Sequence, residues 1–79
     1  MTDPDDLDRL ATAYHEAGHA VLARLLGGAV RSASLEGPDG EPHGATVVQW
    51  IGVDDRERRR LSALVALAGP VAEARWRAD

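Results

Sequence analysis

His15-Glu16-Ala17-Gly18-His19 fits the H-E-x-x-H pattern, and it uses two of only three histidines in the chain. Residues four apart on a helix lie one turn above each other on one face. Two imidazoles placed that way can share one cation at the usual zinc–nitrogen distance of about 2.0–2.1 Å. Glu16 is rotated away from the pair, close enough to reach a water on the metal without having to ligate it. The metal lowers the pKa of that water towards roughly 7. A neighbouring carboxylate can then accept the proton and pass it to a leaving amine. The plainer alternative makes the two histidines exposed helix residues and Glu16 a surface charge.

The chemistry requires a helix under the motif, and the surrounding residues predict one from about Pro4 to Leu26. Thr2 or Asp3 can cap it, Pro4 suits its first position, and Asp5 and Asp6 favour the positive end of its dipole. Leu7, Leu10, Tyr14, Ala17, Val21 and Leu25 recur at spacings of three and four, an apolar stripe that we expect to be buried. Tyr14 belongs either to this stripe or to the lining of the site. Gly27-Gly28 ends the helix. Gly18 costs about 1 kcal/mol of helix propensity against alanine. That cost suggests close approach by another element, and Ala66, Ala68, Gly69 and Ala72 are small enough to provide it.

Val30–Leu35 and Thr46–Ile51 read as two strands joined by a turn-rich loop, together a hairpin with room for distortion. Thr46–Ile51 can offer an edge to an extended substrate, or simply pack with Trp50 over the sheet. A second helix is expected from about Asp55 to the C-terminus. Asp54 and Glu57 stand at capping-box spacing, and Leu61, Leu64, Val65 and Ala68 form its buried stripe. Gly69-Pro70 should kink or break it. The fold class is α+β, mostly helical, in the order α-β-β-α, and residues 1–79 form a single small domain.

Composition narrows the function. The chain has no cysteine, so a metal must use histidines and carboxylates. A net charge of −4 argues against nucleic-acid binding. The run Arg56-Glu57-Arg58-Arg59-Arg60 reads as a solvated helix face. No apolar run approaches the roughly 20 residues of a membrane span. The acidic N-terminus is no signal peptide, and we expect a cytoplasmic protein.

Three segments resemble the peptidase part of the FtsH-type ATP-dependent zinc metallopeptidases (family M41). Ala13-Tyr14-His15-Glu16-Ala17-Gly18-His19-Ala20-Val21 looks like that family's motif helix. Gly44-Ala45-Thr46-Val47-Val48-Gln49 is similar to its Gly-Val-Thr strand, and Leu67-Ala68-Gly69-Pro70-Val71-Ala72-Glu73 to its Leu-Gly-Gly-Arg-Ala-Ala-Glu stretch. The matches fall in the family's order. The resemblance implies zinc held by His15 and His19, Glu16 as general base, and hydrolysis of polypeptides. Pro70 stands where the family has arginine. The family's third zinc ligand is an aspartate past the Ala-Ala-Glu stretch, about where this chain stops. Its ATPase module has no counterpart here, so a separate ATPase partner or a homo-oligomer is expected.

Catalytic zinc takes three protein ligands and leaves one position for water. The third ligand stays open. Glu73 is a candidate, although its matched family position favours a place behind the ligands. Asp79 and His43 are further candidates, as is a residue from another chain or from sequence beyond Asp79. The leading reading is a zinc metallopeptidase-like domain. The alternatives are an inactive zinc-binding or interaction module that keeps the peptidase fold, and a truncated piece of a longer enzyme.

Overall fold

The computed structural model describes residues 3–36 and 44–78. His43, Asp79 and the loop tip at 37–43 lie outside the described residues. The element order is α1 (Pro4–Leu25), β1 (Ala29–Ser34), β2 (Ala45–Gln49) and α2 (Asp55–Ala78). This is the α-β-β-α layout expected, mostly helical. No helix among the described residues is long and apolar enough to cross a membrane.

The helix ends follow local chemistry. Past α1, the Gly28 amide donates to the Ala23 carbonyl and the Gly27 amide to that of Arg24, with Gly27 at φ 92°. This is a Schellman arrangement, which needs a residue free to adopt positive φ. At the start of α2 the Asp54 carboxylate accepts from the Glu57 amide at 2.8 Å. Glu57 does not return the bond, because its carboxylate is taken by Arg60. That leaves one half of the capping box. α2 continues as one helix through Pro70, so of the kink or break expected there, the break does not occur. The ring removes the donor that would serve the Ala66 carbonyl. Ala66 is exposed, and solvent can supply that bond.

β1 and β2 pair antiparallel with a bulge. Val30 faces Val48 and Ser32 faces Val47, which leaves Arg31 unmatched. Arg31 turns its guanidinium to the side-chain oxygen of Gln49. α1 is the central element: it packs against both strands on one side and α2 on the other, and among the described residues neither strand packs on α2. A cleft with α1 as its floor therefore separates β2 from α2.

The helices pack antiparallel and close. A Cβ on Gly18 would lie 2.5 Å from the Ala68 carbonyl oxygen and 2.7 Å from the Ala72 Cβ. The seam is thus built on Gly18, Ala68 and Ala72, as the small residues suggested. Tyr14 stacks on Trp76 at the far end, with ring centroids 5.3 Å apart. Among the described residues the buried apolar ones are few: Ala11, Ala23, Leu61 and Val65. The stripe read on α1 is a correction. Leu7, Leu10, Tyr14, Val21 and Leu25 are exposed, and on α2 so is Leu64. The seam and the hairpin take other faces of α1 and leave most of this one open, although Tyr14 has Trp76 stacked on it.

Replacing Gly18 with alanine would raise helix propensity by about 1 kcal/mol. Overpacking costs typically about 1–3 kcal/mol, so we expect Gly18→Ala to lower the thermal midpoint. A higher midpoint would show that the helices do not meet at this residue.

Candidate metal centre

The three motif residues fall on two sides of α1, which is why both neighbours of that helix contribute. His15 and His19 face the seam with α2. Their rings lie 4.8 Å apart, edge to face. His15 Nδ1 is 3.0 Å from Glu73 Oε1, and His19 Nδ1 is 2.6 Å from the Val65 carbonyl oxygen. A carbonyl can only accept, so His19 carries its proton on Nδ1. The Arg77 guanidinium donates to Glu73 Oε2 at 3.0 Å. First that bond, and then the bond from His15, hold the Glu73 carboxyl below its ordinary range. Glu73 is therefore an ionised acceptor at neutral pH, and His15 is protonated on Nδ1 as well. In its neutral form each ring then has its Nε2 lone pair left for another partner.

Space for the two rings comes from Gly69. A Cβ there would stand 2.4 Å from His19 Nε2 and 2.8 Å from His15 Cδ2. Any larger residue would push the imidazoles off the helix. The glycine read as part of an interrupted helix is thus the surface against which the histidines rest.

Glu16 turns towards the hairpin and is buried at 8% exposure. An ionised carboxylate so placed needs a donor. Thr46 on β2 provides it, its hydroxyl donating to Glu16 Oε1 at 2.5 Å. Gly44 allows this approach, since a Cβ there would lie 2.5 Å from both Glu16 Cγ and the Ser34 carbonyl oxygen. The hairpin orients the acid and α2 orients the histidines.

One ligand atom from each of His15, Glu16 and His19 lies within 4.8 Å of the other two. All three line a cleft of about 690 Å³ between β2 and α2, walled by Thr46, Val48 and Trp50 on one side and Arg58, Ser62 and Ala66 on the other. The donor set fits a divalent cation that accepts nitrogen and oxygen ligands, as zinc does. Glu73 stands behind His15, with one oxygen on the ring and the other on Arg77. Sequence reasoning did not find Thr46 as the partner of Glu16, nor the Val65 carbonyl. A backbone acceptor leaves no mark in side-chain identities.

Comparison with known proteins gives no match to a family model, a curated protein or a solved structure.

Two substitutions test this geometry by zinc titration. Removal of a ligand's hydrogen-bond partner typically costs about 10–100-fold in metal affinity, and we expect a loss of that size for Glu73→Ala. A loss of many further orders would make Glu73 a direct ligand. Gly69→Ala should weaken zinc binding while helix content, read by circular dichroism, holds. Unchanged affinity would mean that the rings do not rest on Gly69.

Proposed function

We propose that this chain is a zinc metallopeptidase-like domain in which His15 and His19 hold the metal through Nε2 and Glu16 is the general base. The observation that carries this reading is the matched pair of Nδ1 hydrogen bonds, to Glu73 and to Val65, beside a buried acid held by Thr46. Surface histidines have no reason to have the same ring nitrogen taken up by a neighbouring helix while both rings line one cleft. The short-segment resemblance to FtsH-type peptidases supports the same assignment.

Zinc bound there would polarise a scissile carbonyl and make a water acidic enough to attack it. The chain's own residues do the rest. Glu16 accepts the proton of the attacking water and delivers it to the departing amine nitrogen. Thr46 keeps the carboxylate in place for both transfers. Glu73 and Val65 hold the two rings, and Arg77 holds Glu73.

The substrate we assign is an extended polypeptide in the cytoplasm. Among the described residues β2 pairs only with β1, and Ala45, Thr46, Val48 and Gln49 line the cleft. A peptide backbone could add to β2's open edge as a further strand and cross the site. A partner ATPase would serve such a domain by delivering unfolded chains.

A second reading is favoured by one observation. The metal-capable group among the described residues is two histidines and one acid. Glu16 can complete the metal's ligands or act as base, and the two roles conflict. If it ligates, the domain is a zinc-binding interaction module without catalysis. Glu16→Gln separates the two. Under the peptidase reading about one zinc per chain remains and cleavage of an unstructured protein falls by about 10²–10⁴-fold. Loss of the zinc, with a wild-type chain that cleaves nothing, would overturn the enzymatic reading.

A further inference from the structure

On the other side of the helix seam from the metal centre runs a second groove, and its chemistry is the opposite. Gly18, Ala68 and Ala72 form its floor, and Val21, Leu25, Leu64, Leu67 and Val71 rise on its flanks. These flanks are open to solvent: Val21 is 59% exposed, Leu25 76%, Leu67 65% and Val71 66%. Arg75, at one end, is the one charged residue among the described residues that line it. Two residues of the apolar stripe read from the sequence, Val21 and Leu25, lie here.

We infer that this face is the interface of a homodimer, with a second copy of the chain as its occupant. Three observations select that occupant. The first is architecture. Stable domains bury a core between two layers, yet the hairpin, α1 and α2 lie side by side, and the molecule measures 48 × 29 × 15 Å. Among the described residues no large side chain is fully buried, and two of the four buried apolar residues are alanines. A second α1–α2 pair laid on the first supplies the missing layer.

The second observation is area. The surface of 5708 Å² exceeds the about 4,600 Å² expected of a folded 8.4 kDa monomer by about 1,100 Å². A standard interface takes about 800 Å² from each partner, and permanent dimers take more. The surplus is of the size that one subunit gives up in a stable dimer.

The third is self-complementarity. A two-fold interface uses the same patch on both subunits. The groove has a floor of small residues and flanks of leucine and valine, so the flank of one copy can enter the groove of the other. With the axis through the middle of the groove, the two Arg75 side chains lie at opposite ends. No like charges then meet inside the interface. The catalytic cleft stays open on the far side of the seam in both copies.

Sedimentation equilibrium of the intact chain, from low to high micromolar concentration, tests the proposal. The expected mass is about twice 8.4 kDa. Leu67→Asp on α2 and Val21→Asp on α1 should each weaken dimerisation by at least about 100-fold, with helix content unchanged by circular dichroism. Should one variant fail to fold, the other carries the comparison. Ile51→Asp, at an exposed apolar residue outside the groove, should leave the dimer intact. A wild-type chain that stays monomeric overturns the proposal, whether or not a different protein occupies the groove. A dimer that survives both groove substitutions also overturns it, because the copies would then meet elsewhere.

Discussion

The candidate site depends on the distance between two helices. His15 and His19 reach Glu73 and the Val65 carbonyl only because α1 and α2 approach until a methyl group at Gly18 or Gly69 would collide. Each Nδ1 bond fixes a ring's rotation and its proton in one step. The Nε2 atoms are then the ring nitrogens left for a metal. Preorganisation of this kind makes a helical pair of histidines a chelator instead of two independent bases. α1 supplies all three motif residues, but it does not orient any of them. α2 aims the histidines and β2 aims the acid.

The close seam has a cost in stability. Small residues at the helix contact bury little apolar area, and apolar burial is the main source of folding free energy. Leu61 and Val65 are the large residues inside, while larger groups of α1 and α2 remain on the outer face. A chain of this size is only marginally stable unless something further is bound. A metal bound only to the folded state would stabilise it, and so would a second copy on the apolar face. The two proposals therefore answer the same deficit from opposite sides of the seam.

The fold was largely legible in the sequence because its signals are local. Pro4, Asp54 and Gly27-Gly28 mark helix ends by backbone chemistry that acts within a few residues. The glycine in the motif pointed to a close helix contact, which the Ala68 carbonyl makes. The histidine pair was legible because four residues make about one helical turn. The failures share a different cause. Periodicity shows that α1 has an apolar face without showing what covers it, so the stripe was read as core. At Pro70 the sequence left a kink or a break open, and α2 runs on as one helix because Ala66, whose carbonyl loses its donor, is exposed. Thr46 and Val65 act on the site from across the fold, beyond the reach of any spacing rule. His43 and Asp79 fall outside the described residues, and the resemblance to FtsH-type peptidases rests on its short segments alone.

The ring tautomers carry the whole account, and nitrogen-15 NMR of the imidazoles in metal-free protein at neutral pH reads them directly. The expected spectrum has the neutral form of both His15 and His19 protonated on Nδ1, with pyridine-like shifts at both Nε2 atoms that move on addition of zinc. Rings that average between tautomers, or carry the proton on Nε2, would contradict it. The helices would then not hold the histidines for a metal.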